Sequence, residues 1–240
     1  MIGQVWSTAP PLDDFLAGSS RSGDGLRRAG QFVSLTGTLL ATGFVAHLAI
    51  THIGRRSEIR LLLRLAGYAG ALMLIGGAVE LAGISSAFEL AWSDVLELDV
   101  GSAAMLRLLG GLLVALGLFE HTVPIGPARF TESTTWNDEY RWLPSSASAF
   151  GLVGAALGTV SFMFDGHTVT EGPRLVHALV NTVHVGAGAV WVGGLAALAI
   201  VAVRRRRDPE ARPVGALVVR FSRIASIALV AVAVAGVAMA

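Results

Sequence analysis

Cysteine and lysine are both missing from these 240 residues. Without cysteine there is no disulfide, no thiolate metal site and no thiol redox chemistry. A soft metal ion would have to be held by methionine or histidine. All 18 basic residues are arginine, a bias that reads as a GC-rich genome and carries no mechanism. Charge is scarce: 15% of residues are charged, where a soluble domain carries roughly a quarter. The net charge of +1 points to no partner class, and no nucleic-acid binding is expected. Residues 1–30 lack the apolar core and cleavage pattern of a signal peptide and read as a polar N-terminal leader. No nucleophile–base pair, phosphate-binding loop or closed metal triad stands at workable spacing, so an enzyme is not expected.

What the chain has in abundance is apolar length. Hydrophobic residues make up 53%, the mean hydropathy is +0.65, and several runs reach the ~20 residues that cross a bilayer as helix. Six segments stand out: 32–53, 63–84, 102–123, 148–165, 174–203 and 215–240. None shows the ten-residue alternation of a membrane β-strand. The expectation is an all-α, polytopic transmembrane helical bundle of about six spans. Residues 31–146 form a first half of three spans, including the loop 124–147, and residues 147–240 form a second three-span region. The last run ends without a polar flank, so the chain reads as C-terminally truncated.

Arginine also sets the expected orientation. Arg55, Arg56, Arg60 and Arg64 fill the first connection, and Arg204 to Arg207 with Arg212 fill the fifth. The second connection carries only acidic charge, on Glu89, Asp94, Glu97 and Asp99. The excess of arginine on cytoplasmic loops then puts the first, third and fifth connections inside and the N-terminus outside. In the second connection Phe88, Trp92, Val95 and Leu96 fall near one face of a short surface helix. In the third, Trp136, Tyr140 and Trp142 read as interfacial anchors.

Ionisable side chains inside spans are costly and need partners or a wet cavity. The orientation sorts them into two layers. The outer layer holds Glu80, Arg107, Asp165, His167, His177 and His184, with Met105 and Met163 at the same depth. The inner layer holds His47, His52, Glu120 and His121, of which His52, Glu120 and His121 read as ordinary interfacial residues and His47 as a deeper possible ligand. Glu80 and Arg107 lie at matching depth on spans joined by one loop. They form a structural ion pair, or Glu80 is a ligand or proton acceptor on a cation path.

His177, Asn181, His184, Gly188 and Trp191 step by four, three, four and three residues, the spacing of one helix face. His177 and His184 are two turns, or about 10 Å, apart, whereas a metal–nitrogen bond is about 2.0–2.1 Å. They are successive stations rather than joint ligands of one ion, and Asn181 between them can hydrogen-bond either ring. The alternative is a polar seam that packs the bundle, with nearby glycines allowing close helix contact.

The C-terminal third also carries an ordered set of motifs. "FDGHT" precedes a span, "H…VWVGGL" lies within it, a basic loop follows, and "RFSRIA" opens the next span. Over residues 160–240 this resembles the CopD family of bacterial copper-resistance membrane proteins. The matching positions are Gly166 and His167; His184, Trp191, Gly193, Gly194 and Leu195; and Arg220, Phe221, Ser222 and Ala225. The family pattern has Ala where this chain has Thr168, and continues into further spans. The resemblance implies a multi-pass protein of the bacterial inner membrane that transports or handles copper, with a periplasmic or extracellular copper-binding protein as a possible donor. It implies His167 and His184 as copper contacts, with His177 a further candidate and Asn181, Glu80, Asp165, Met163, Met105 and His47 available along a path. Two other readings stay open: a membrane scaffold or assembly subunit, and a haem-binding cytochrome with His47 and His121 as axial ligands.

Overall fold

The computed structural model describes residues 21–122, 130–132, 140–142, 149–164, 174–208 and 213–239. The chain is an all-α bundle. Helix α1 (Arg21–Ala46) runs into a π turn (His47–Thr51), followed by α2 (Arg56–Phe88), the short α3 (Trp92–Glu97) and α4 (Asp99–Thr122). A two-stranded antiparallel ribbon pairs β1 (Phe130–Glu132) with β2 (Tyr140–Trp142). Then come α5 (Ala149–Val160), a 3-10 turn (Ser161–Phe164), α6 (Arg174–Arg206) and α7 (Gly215–Ala238). Among the described residues, five helical segments are long and apolar enough to cross a membrane: Gly23–Thr51, Arg56–Phe88, Asp99–Leu116, Leu175–Arg206 and Gly215–Ala238. The protein is a multi-pass membrane protein embedded in a lipid bilayer.

The fourth expected span is shorter than the other five. Its α-helix covers 12 residues and tightens into the 3-10 turn, where the Ser161 hydroxyl donates to the Gly158 carbonyl. At the other end of the chain, α1 begins at Arg21, inside the segment read as a leader. Asp24 pairs with Arg27 and Arg28 one turn on, a spacing that supports a helix start.

Helix α1 lies along α2, and α1 also touches α6; α4 packs between α2 and α5, and α7 packs on α6. Small residues set these distances. A Cβ on Gly76 would land on the Ser34 backbone, so α1 and α2 meet at main-chain contact, the close approach expected where lipid gives helices no hydrophobic drive to associate. The main apolar cluster sits at the arginine-rich end and includes Phe44, Val45, Leu48, Ile59, Leu62, Val201 and Phe221.

Trp142 belongs to that cluster and is 2% exposed, so it is a core residue rather than an interfacial anchor. The β1–β2 ribbon turns its ring inward. Trp136 and the Tyr140 side chain lie outside the description. Helix α3 forms as expected, but of its apolar residues only Val95 is buried; Trp92 and Leu96 are exposed, as is Phe88 at the end of α2.

Candidate functional site

Two polar clusters are buried in the bundle, one toward each end. The first is centred on Arg107 of α4, which is 0% exposed. Its Nη1 donates to both Glu80 carboxylate oxygens, at 2.8 and 2.6 Å, and its Nε donates to Ser161 Oγ at 3.1 Å. Ser34 Oγ donates to Glu80 Oε2 at 3.0 Å. The Phe162 ring lies 5.6 Å from the guanidinium carbon, within cation–π range. Helices α1, α2 and α4 and the 3-10 turn are thus tied through one charge pair. Of the two readings of Glu80 and Arg107, this geometry favours the structural ion pair. A carboxylate holding a guanidinium and a hydroxyl has little capacity left for a travelling cation.

The histidine face of α6 is a regular helix, so His177 and His184 keep their two-turn separation. Both are half-buried. His184 Nδ1 lies 3.0 Å from the Val232 carbonyl oxygen of α7, and its ring rests against Gly236. A carbonyl only accepts, so Nδ1 carries the proton and Nε2 keeps a lone pair. This is how a metal-ligating histidine is commonly held. Asn181 does not bond either ring: its Nδ2 donates to the Phe162 carbonyl at 2.8 Å. The 3-10 turn at the end of α5 leaves carbonyls without helical partners, and Asn181 satisfies one. Met105 packs in an apolar cluster with Leu81, Ile84, Val95 and Ala104, and Met163 is half-buried in the 3-10 turn. Asp165 and His167, with Gly166 and Thr168, lie outside the described residues.

The second cluster surrounds His47, which is 2% exposed, and His52, which is 1% exposed. His52 is therefore a buried group and not an interfacial one. The ring centroids are 5.7 Å apart. Among the described residues, no ring nitrogen of either histidine has a hydrogen-bond partner. Glu58 Oε2 approaches His52 Nε2 at 3.6 Å, too far for a hydrogen bond. Both Glu58 oxygens are taken by Arg205 of α6, at 2.7 and 2.8 Å, and Oε2 also accepts from the Arg55 backbone N–H at 3.2 Å. Burial holds the His52 imidazole down at about 4; Glu58 opposes this and Arg205 adds to it.

The π turn creates this juxtaposition. In an α-helix, residues five apart point about 140° away from each other. The His52 N–H instead donates to the His47 carbonyl at 2.8 Å, the i to i+5 bond of a π-helix. The widened turn is held from outside as well, because Arg141 of β2 donates to the Ala49 carbonyl at 3.3 Å.

Several motif residues converge here. Gly193 of α6 meets Gly43 of α1 backbone to backbone, and a Cβ on Gly194 would land on the Phe221 ring. Phe221 in turn packs against His47, with centroids 5.9 Å apart. Trp191 is partly exposed, and Arg220 and Ser222 are exposed. Glu58 and Arg205 were not singled out from the sequence. The available signal was that Glu58 is the one acidic residue among the arginines of the first connection. Glu120 and His121 end α4, with side chains outside the description.

Among the described residues, no three histidine, aspartate or glutamate side chains gather as a metal cage. No protein-family model matches this chain, and no curated protein or solved structure matches it either.

Proposed function

We propose that this chain handles copper and moves it between the two faces of a bacterial inner membrane, as the motif resemblance over residues 160–240 implies. The observation that carries the reading is the packing of Phe221, itself seated on Gly194, against His47, a buried histidine with uncommitted nitrogens. Gly194 and Phe221, which match the CopD pattern in separate strings, thus meet each other beside His47.

His184 supports a first station. Its Nδ1 is held by the Val232 carbonyl, so Nε2 is the ligand atom, and imidazole suits copper. His177 lies two turns away on the side of the "FDGHT" motif, where His167 would accept the ion from a soluble copper-binding protein. Gly193, nine residues past His184, meets Gly43 of α1, and His47 lies four residues beyond Gly43 toward the same end, so the His184 and His47 levels are separated by roughly 20 Å. That is too far for one ion and suits two stations in series. Glu80 and Met105 drop out of this path, the first as a structural carboxylate and the second as a packing residue.

The test is copper accumulation in cells expressing wild type or His184→Ala, with membrane protein level measured in parallel. Loss of the copper-dependent gain at unchanged protein level is the expected result. Unchanged accumulation removes His184 from the mechanism, and accumulation indistinguishable from cells lacking the protein favours a scaffold.

A further inference from the structure

We infer that His47 and His52 form a two-coordinate site for a soft monovalent cation, Cu(I), with Ag(I) as its chemical stand-in. The assignment rests on the copper-handling reading for the identity of the cargo, but its geometry stands alone. A neutral imidazole has one N–H and one lone pair, so the pair presents two lone pairs to a dry interior. Buried nitrogens that find no hydrogen bond cost free energy and require an explanation. With metal–nitrogen bonds of about 2.0 Å, two imidazoles in line on one ion stand with centroids roughly 6.3 Å apart, and a bend at the ion brings them closer. The observed separation is 5.7 Å. Glu58 lies beyond His52 Nε2 and favours the proton on that nitrogen, which leaves Nδ1 as the ligand atom.

Charge and donor number select the ion. Glu58 is already neutralised by Arg205, so an incoming cation brings its full charge into a low-dielectric region, and a dication costs far more than a monocation. Zinc takes four ligands, and among the described residues no third histidine or carboxylate joins the pair as a cage. Closed-shell monovalent coinage-metal ions are satisfied by two donors, in line or bent, and the 5.7 Å separation suits a bent pair. The aromatic ring of Phe221 on one side and Leu48 in the same turn keep water from supplying a third.

The experiment uses the full chain purified in detergent without oxygen, carrying His167→Ala, His177→Ala and His184→Ala to silence the other proposed copper contacts. Titration with Ag(I) is expected to saturate at a single ion. His47→Leu or His52→Leu should weaken it by at least about a hundredfold, whereas His47→Met, which restores a soft donor, should stay within about tenfold of the parent. X-ray absorption of the Cu(I)-loaded parent should show two nitrogen ligands. In the unsubstituted chain, Ag(I) should shift the ¹⁵N resonances of both histidines, a readout independent of whether any variant folds. Undiminished binding in both leucine variants, a four-coordinate Cu(I) spectrum, or unmoved resonances would each overturn the site. If Ag(I) binds the pair but neither His47→Leu nor His184→Ala alters cellular copper, the site stands and the transport reading falls. If accumulation needs His184 while both leucine variants bind Ag(I) fully, the reverse holds.

Discussion

Arg107 and His47 are both buried in the apolar part of this bundle, yet their surroundings differ. Arg107 spends its N–H groups on Glu80 and Ser161, and Glu80 takes a further bond from Ser34. The His47 and His52 nitrogens have no such bonds among the described residues. In a medium without water, a charged group persists only when its hydrogen-bonding capacity is met. The Arg107 cluster meets it internally and joins four elements. The histidine pair leaves donors and lone pairs over, which is a poor way to hold helices together and a good way to wait for a ligand.

Substitutions can break this contrast. The largest effect is expected from Arg107→Leu, which strands the Glu80 carboxylate and should cost about 3–5 kcal/mol. The yield of monodisperse protein in detergent should collapse. Glu80→Gln alone should lower yield, and adding Arg107→Gln should restore part of it; a Glu80→Gln protein of normal yield that has lost copper accumulation would transfer Glu80 to the functional class. Next, Glu58→Gln removes the charge that Arg205 grips at the other end, for about 1.5–3 kcal/mol. Thermal unfolding in detergent should register it, and the exposed His52 should then react faster with diethylpyrocarbonate. Ser161→Ala should be milder, near 1 kcal/mol, because the guanidinium keeps Glu80. The smallest effect, with the opposite sign, belongs to His47→Leu. Replacing an unsatisfied buried imidazole by an apolar side chain should leave the metal-free protein as stable or raise its unfolding midpoint slightly. A clear loss of stability there would show that the pair is structural and erase the contrast.

The parts of this arrangement legible in sequence are those governed by regular periodicity. The long spans follow from apolar length. The meeting of Glu80 and Arg107 follows from equal depth on two helices joined by a short connection. The separation of His177 from His184 follows from helical rise. The histidine pair was hidden because a residue spacing of five has no meaning on a regular helix; only the π turn brings His47 and His52 together. Trp142 was misread because aromatic residues near a loop resemble interfacial anchors until the ribbon that carries the ring inward is seen. Asn181 was assigned to its neighbours on α6, but an uncommitted carbonyl on another element won its amide. Each miss concerns a group whose partner is set by an irregular turn.

The π turn carries one more consequence. A π turn is an α-helix that has accepted one extra residue, so the relation between His47 and His52 is a matter of chain count. Removing one residue between them would let the turn close as ordinary helix and leave the two histidines four apart, about 40° around the axis and still on one face, while the bulk of α1 kept its place against α2. What would part the rings is a regular helix at unchanged length, which sets residues five apart about 140° around the axis; the pair depends on the turn staying wide.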